Sequence, residues 1–232
     1  MEIEELKRLL EIDAKAVLSR KVEPFGTEYD IVKHELAKIR TLNISERTFE
    51  VPGLTRNLEL VCQVLAEFKE KEKRNIMPLQ YAKSDDIVLM QLRPEHIAEN
   101  FTYERDITLA AGKYVGTFNI IPPTAGKLTI PAKQIFVITD IIELSPTAPL
   151  TAVQVVDVDG VTQYPIDATL IMKATDMQVF EFPHPVIADA TLDIDGKVES
   201  KTAGATVTTY AFPVGVWIGY GKDVPALARP GA

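Results

Sequence analysis

The stretch Ala205-Thr-Val-Thr-Thr-Tyr-Ala-Phe212 alternates between two sets of side chains along its length. The residues of one set are Ala205, Val207, Thr209 and Ala211, and those of the other are Thr206, Thr208 and Tyr210. Because successive side chains of a strand point to opposite faces of a sheet, this pattern predicts a β-strand.

Similar segments, separated by proline and glycine, fill the chain from residue 106 onward. The other predicted strands are Tyr114–Ile121, Leu128–Ile130, Gln134–Leu144, Leu150–Val158, Ala168–Lys173, Met177–Phe182 and Val186–Ile194. Short strands with turn residues about every 8–12 positions indicate an antiparallel sandwich or barrel. Eight strands suit a jelly roll best, so residues 106–232 are predicted to form a β-sandwich domain, a jelly roll.

Residues 1–105 have a different composition, since they hold 17 of the 25 Lys and Arg residues and 20 of the 33 Asp and Glu residues. Apolar residues at helical spacing predict helices over Ile3–Leu18 and Tyr29–Ile39, and a third after Asn57 as N-cap. The third helix carries Leu58, Val61, Leu65 and Phe68 on one face and ends in the solvated charged run Lys69–Arg74. A short strand is predicted at Arg47–Val51. The fold class is therefore α+β, with residues 1–105 a mainly helical N-terminal region for assembly or anchoring.

Charge and hydropathy exclude some partners. A net charge of −8 argues against a nucleic-acid partner, which needs a positive surface. The longest apolar tract, Gln134–Leu144, is interrupted by Thr139, Asp140 and Glu143, so no membrane span is predicted. Neither the acidic N-terminus nor the single cysteine, Cys62, indicates secretion, and we expect folding in a cytosol.

The three histidines offer little to an enzyme. His34, His96 and His184 are far apart, and none forms the His-x-His pair that a cupin metal site requires. No nucleophile motif accompanies them. The sequence therefore predicts no enzyme, no catalytic residue, no metal site and no cofactor.

Two Asp-Gly pairs, at Asp159-Gly160 and Asp195-Gly196, end alternating segments. Asp-Gly suits a tight hairpin turn, because both residues tolerate positive φ. Calcium binding is the alternative, but neither segment supplies the further ligands of an EF-hand. Hairpin turns are the preferred interpretation.

The segment Phe180-Glu-Phe-Pro-His-Pro185 is the first candidate binding site. Phe180 and Phe182 lead into His184, which lies between two prolines. One interpretation is a core strand that ends in a rigid turn. The other is a stiff, exposed aromatic loop that contacts a partner or a glycan, since a preformed loop loses little entropy on binding.

Trp217 and Tyr220 allow the same two interpretations. Glycines surround them at Gly215, Gly219 and Gly221, and no helix start follows. We expect these glycines to permit a bend beside the two aromatic residues rather than to bind a phosphate.

The stretch Thr129-Ile-Pro-Ala-Lys-Gln-Ile-Phe-Val-Ile-Thr-Asp-Ile141 resembles virion jelly-roll proteins, such as the coat, vertex, spike and fibre subunits of phages and other viruses. In that pattern a Pro-Ala turn leads into a long strand, and Gly204–Phe212 resembles the closing strand. Lys133 stands where a glycine is usual. The resemblance covers about residues 106–220 and implies self-assembly, commonly as trimers, with an N-terminal extension fastened to neighbouring particle subunits.

Two classes of function follow from these observations. The first is a non-enzymatic structural protein of a virus or virus-like particle, assembled in the host cytoplasm and located in the virion. The second is a carbohydrate- or ligand-binding β-sandwich that serves adhesion. A cupin-like enzyme is disfavoured by the histidine spacing.

Overall fold

The structure is a computed structural model that describes residues 30, 33, 41–44, 47–50, 52–98, 104–145, 147, 149–162 and 179–225. Its strands are β1 (Thr41–Ile44), β2 (Arg47–Glu50), β3 (Ile87–Gln91), β4 (Glu104–Thr108), β5 (Val115–Ile121), β6 (Leu128–Thr129), β7 (Ile135–Glu143), β8 (Leu150–Val158), β9 (Val161–Thr162), β10 (Val179–Ala188), β11 (Thr191–Glu199) and β12 (Thr206–Tyr220). Its α-helices are α1 (Pro52–Arg56), α2 (Leu58–Glu72) and α3 (Pro94–Ile97).

Two antiparallel sheets form a sandwich. Sheet I has the order β10-β7-β12-β3, and β4 pairs with the first part of β12. Sheet II has the order β5-β11-β8-β9, and β6 pairs with the first two residues of β11. The strands β1 and β2 form a separate hairpin. The prediction of a mostly antiparallel β-sandwich is confirmed.

The pairings between these strands are nested. Among the eight strands β3, β5 and β7 to β12, the first pairs with the last, β3 with β12. The second pairs with the seventh, β5 with β11, and the third with the sixth, β7 with β10. The fourth and fifth, β8 and β9, form the hairpin at the centre of the sequence. The first strands of this set therefore pair with the last ones in nested order, and the β8–β9 hairpin is the innermost pair.

The central part of sheet I, formed by β7 and the second half of β12, is buried on both faces. Between the sheets, a core brings together Phe136, Ile138 and Trp217 of sheet I with Val155 and Leu192 of sheet II. A second core lies on the other face of sheet I, where α2 covers it. This explains why the apolar residues of β7 do not alternate with polar ones, since every residue of the strand is buried and neither of its faces meets water.

Helix α2 confirms the helix predicted after Asn57. An isolated helix of 15 residues is marginal in water, so its stability comes from packing. Val61, Leu65 and Phe68 are buried against sheet I, and each contributes about 1.5–3 kcal/mol. Asn57 does precede the helix, but it does not cap it with a side-chain acceptor, because its amide nitrogen donates to the Gly53 carbonyl oxygen at 2.8 Å.

The region N-terminal to residue 105 also contributes strands. Residues Arg47–Glu50 form β2, as predicted. The strand β3 lies within the stretch predicted to be mainly helical, yet it is part of sheet I through its pairing with β12. The domain boundary at residue 105 stays a prediction. The predicted helices at 3–18 and 29–39 lie outside the described residues, except for the helical Asp30 and Lys33, and so does the predicted strand at 168–173.

The last strand is longer than predicted. β12 continues past Phe212 to Tyr220, so the expected bend at Gly215–Gly221 is wrong. Gly215 instead lies at a close approach of β12 and β7, since a Cβ there would be 2.0 Å from the Val137 carbonyl oxygen. Gly219 lies under the Trp217 ring, since a Cβ on Gly219 would be 2.3 Å from Cζ2 of that ring. Both glycines permit close packing.

The two Asp-Gly pairs have different outcomes. Asp159 and Gly160 both have positive φ, 52° and 80°, and form the predicted turn between β8 and β9. Asp195 and Gly196 lie inside β11, so the second predicted turn is wrong. A Cβ at Gly196 would be 2.5 Å from the Phe118 ring, so this glycine makes room for an aromatic neighbour on β5.

Candidate functional site

The segment Phe180–Pro185 is part of a strand and not an exposed loop. Phe180 and Phe182 are 1% and 3% exposed, and their rings meet edge to face with centroids 5.1 Å apart. They belong to the core between the two sheets. The segment Pro183-His184 is exposed, where the register of β10 shifts between Glu181 and Val186. Of the three predicted contact residues, only His184 therefore presents its side chain to solvent.

Trp217 and Tyr220 are also buried, at 0% and 4% exposure. The Trp217 indole donates a hydrogen bond to Gln134 Oε1 at 2.9 Å, and its ring stacks on His96 with centroids 4.8 Å apart. Tyr220 belongs to the core under α2. These positions give no support to glycan contact through the two rings, and a binding role for them stays a prediction.

The histidines do not converge in the described part of the chain. His96 is largely buried, and burial lowers its pKa to about 4. Its Nδ1 accepts a hydrogen bond from the Arg93 backbone at 2.9 Å, which requires the neutral ring. His184 lies on the opposite edge of sheet I, in β10, and His34 is outside the described residues. Among the described residues, no group of three His, Cys, Asp or Glu side chains is arranged to hold a metal ion.

The carboxylate of Asp159 is used within the fold. Its Oδ1 accepts hydrogen bonds from the backbone N–H groups of Asp189, Ala190 and Thr191, at 2.7–3.1 Å. This oxygen therefore ties the β8–β9 turn to the β10–β11 turn beside it. Such a role fits the turn interpretation rather than calcium binding.

The C-terminal end of α2 is fastened to the sandwich by polar contacts. Glu72 accepts a hydrogen bond from the Tyr220 hydroxyl at 2.6 Å and pairs with Lys133 at 3.2 Å. Lys133 has a φ of 68°, so it adopts the left-handed conformation that glycine favours. Most of the charged run Lys69–Arg74 is exposed, as predicted for a solvated last turn, and Glu72 is the member that contacts the sandwich.

Helices α1 and α2 together form a helical layer on sheet I. The end of this layer at α1 lies over an acidic cluster that the sequence did not reveal. Arg56 of α1 contacts both carboxylate oxygens of Glu181 on β10, at 3.1 and 2.9 Å. Asp140 of β7 is the direct cross-strand partner of Glu181 and is fully buried. Thr139 donates a hydrogen bond to Asp140 Oδ2 at 2.6 Å. The only sequence signal was that Thr139 and Asp140 interrupt the apolar tract.

The pKa of Asp140 is raised to about 6, chiefly because burial disfavours the charged form. The nearby Glu181 carboxylate acts in the same direction. Hydrogen bonds from Thr139 and from the Gly53 backbone, together with the Arg56 charge, oppose the rise. Asp140 is therefore partly protonated near neutral pH.

The described residues contain no helix long and apolar enough to cross a membrane. The sequence matches no protein-family model and no curated protein.

Two solved structures similar to this chain are viral. The VP2 subviral particle of infectious bursal disease virus matches with 12% identity and a TM-score of 0.32, over 63% of this chain and 36% of that one. The structure of the Gx strain of the same virus matches with 11% identity and a TM-score of 0.28, over the same shares of the two chains. The match thus spans little more than a third of each neighbour, and scores of this size do not establish a shared fold.

Proposed function

We propose that this chain is a non-enzymatic structural protein of a virus or virus-like particle, a coat, vertex or appendage subunit. The observation that carries the proposal is the nested pairing of the eight strands. The orders β3-β12-β7-β10 and β5-β11-β8-β9 are, in rank along the chain, 1-8-3-6 and 2-7-4-5. We infer from this order that the sandwich is a jelly roll, an architecture used by viral capsid domains as well as by lectins and cupins.

The helical layer supports an assembly role. Helices α1 and α2 are held on sheet I by an apolar core, and by contacts of Arg56 and Glu72 at their two ends. The chain enters this layer at Pro52, beside β10, after an N-terminal region that we assign to attachment. The sandwich then supplies a rigid body, while residues N-terminal to the layer fasten it to neighbouring subunits.

The proposal extends to partners and place. We infer that the chain forms homo-oligomers, with trimers the expected unit, that it contacts other particle subunits, and that it is located in a virion assembled in the host cytoplasm. We assign these contacts to the ends and edges of the sandwich, because the central part of sheet I is covered on both faces within the described residues.

Electron microscopy of the purified full chain tests this function. We expect rings or closed particles of uniform size. Circular dichroism and the fluorescence of Trp217, the single tryptophan, serve as controls, because an ordered assembly keeps a buried indole whereas an aggregate of unfolded chain does not. Dispersed single chains under every condition of salt and concentration would contradict the proposal.

A further inference from the structure

The position of Asp140 results from a break in the sheet. In β7, Ile138 pairs with Gly215 and Asp140 pairs with Val214, so Thr139 is an extra residue between them. Such a bulge changes which face the following side chains point to. Ile138 and Ile141 both point into the core between the sheets, and Asp140 therefore points to the opposite face, toward α1.

Helix α1 covers this carboxylate. A Cβ on Gly53 would lie 2.7 Å from Asp140 Oδ2 and 2.8 Å from Oδ1, so only a glycine allows the helix to lie so close. One turn later, the Arg56 guanidinium donates hydrogen bonds to both carboxylate oxygens of Glu181. Asp140 is thus enclosed between β7, β10 and α1 whenever the helical layer is docked.

The carboxylate is incompletely satisfied in this enclosure. Asp140 Oδ1 has no hydrogen-bond partner, although the residue is fully buried. Glu143, the other buried carboxylate of β7, makes a useful contrast. Its oxygens accept hydrogen bonds from the Ser145 and Tyr210 backbone and from the Thr209 hydroxyl, at 2.7–3.0 Å. A buried charge without partners is costly, so β7 accommodates one of its two acids well and the other poorly.

Each element packed against Asp140 contributes to its electrostatic environment. Glu181 on β10 repels its negative charge, and Arg56 on α1 attracts it, but Arg56 is already paired with Glu181. The strand β12, on the other side of β7, presents Val214 as its cross-strand partner. Uptake of a proton removes both the repulsion by Glu181 and the cost of burying the charge.

We propose that docking of the helical layer α1–α2 on sheet I is linked to protonation of Asp140, so that acid tightens the layer and neutral or alkaline pH loosens it. Asp140 and α1 lie at the amino end of the layer, where the N-terminal region joins the sandwich. It would control how firmly that region is held, whatever it binds.

The direction of the effect follows from linkage. The pKa of Asp140 is about 6 in the docked form, and with the undocked carboxyl taken as solvent-exposed, with its ordinary pKa of 3.8, the docked form binds the proton more tightly. The stabilisation is complete below the lower value and is lost as pH rises through the higher one. From these two pKa values, the docking equilibrium is expected to be about tenfold more favourable at about pH 5 than at about pH 7.5.

Hydrogen exchange of the full chain, corrected for the intrinsic pH dependence of exchange, measures this equilibrium. The amides of Asn57 and Val61 report directly, because they bond to the Gly53 and Asn57 carbonyls. Amides of β11 serve as an internal reference. We expect protection of the two reporters, relative to β11, to fall about tenfold from about pH 5 to about pH 7.5.

Variants show whether the change in protection is due to Asp140 or to another titrating group. Asp140→Asn should abolish the relative change, and Glu181→Gln should shift its midpoint to lower pH, because it removes the repulsion and frees Arg56 to pair with Asp140. Asp189→Asn is the control, since the exposed Asp189 side chain pairs with Lys71, at 3.8 Å, near the other end of α2, and its backbone bond to Asp159 is not changed by the substitution. It should leave the change intact.

Three results would overturn the proposal. These are equal relative protection at the two pH values in the unsubstituted chain, an undiminished change in Asp140→Asn, or an unshifted midpoint in Glu181→Gln. If Asp140→Asn does not fold, the midpoint in Glu181→Gln decides alone.

Discussion

Replacement of Gly215 by alanine tests the close approach of β12 and β7 on which the long final strand depends. The new Cβ would lie 2.0 Å from the Val137 carbonyl oxygen and 2.8 Å from the Ile138 Cα. Both are backbone atoms, so no side-chain rotation relieves the contact. The strands must separate by about 1 Å, since carbon and oxygen do not approach within about 3 Å without a bond.

The cost has two parts. Overpacking in a tight core costs about 1–3 kcal/mol, and each weakened ladder hydrogen bond costs about 0.5–1.5 kcal/mol. The bonds at risk are those between β12 and β7 around Gly215, which pairs with Ile138. With one ladder bond weakened, we expect Gly215→Ala to lower the free energy of unfolding by about 1.5–4.5 kcal/mol.

Gly112→Ala is the matched control. Gly112 has a φ of 73° and open space around the position of a Cβ. Its replacement costs only the left-handed conformation, about 1–2 kcal/mol. Both variants also lose the flexibility of glycine in the unfolded chain, so this effect cancels in the comparison.

Urea unfolding followed by Trp217 fluorescence measures the two variants side by side. The indole is fully buried beside the substituted strand position, so its exposure reports loss of the sheet. We expect a clearly lower midpoint for Gly215→Ala with an unchanged slope. Equal destabilisation of the two variants would refute the close approach and, with it, the register of β12 on β7.

The other predictions concern three further contacts, each measured by the same unfolding assay. Phe180→Ala should cost about 3–5 kcal/mol because it empties a core position, whereas His184→Ala should change stability by less than about 0.5 kcal/mol; similar values would contradict the placement of the two residues. Glu72→Ala and Tyr220→Phe should each cost about 1–2 kcal/mol, and the double variant should cost less than the sum, since both remove the same 2.6 Å hydrogen bond; full additivity would argue against that bond. Asp159→Ala should cost about 1–3 kcal/mol because three backbone N–H groups lose their acceptor, and a neutral result would remove the proposed link between the two turns.

Strands with local signals were predictable from the sequence. The predicted bounds Leu150–Val158 match β8, and Gln134–Leu144 differs from β7 by one residue at each end. In both cases an apolar or alternating run lies close to a proline or glycine. Such signals need no knowledge of the partner strand.

Strands that depend on distant partners were not predictable. Residues Ile87–Gln91 are only five long and lie in a highly charged region, and they become β3 by pairing with β12 more than 120 residues away. The Asp195-Gly196 pair has the composition of a turn, but β5 and β8 flank it on both sides and hold it in a strand. Long-range pairing outweighed the local preference.

In the candidate site, too, some features follow from local sequence and others depend on distant contacts. The alternation of Phe180 and Phe182 with Glu181 correctly allowed a core strand as one interpretation. The sequence marked Asp140 only as an interruption of an apolar tract. Its orientation depends on the bulge at Thr139, and its enclosure on α1, and neither is encoded within the tract itself.

Sedimentation velocity of the full chain over a wide range of concentrations is the most direct test of the particle-subunit account. A subunit built for assembly should give discrete, faster-sedimenting species that grow with concentration, beginning with a small oligomer such as a trimer. One species at the mass of a single chain, 25.7 kDa, at all concentrations would contradict the account.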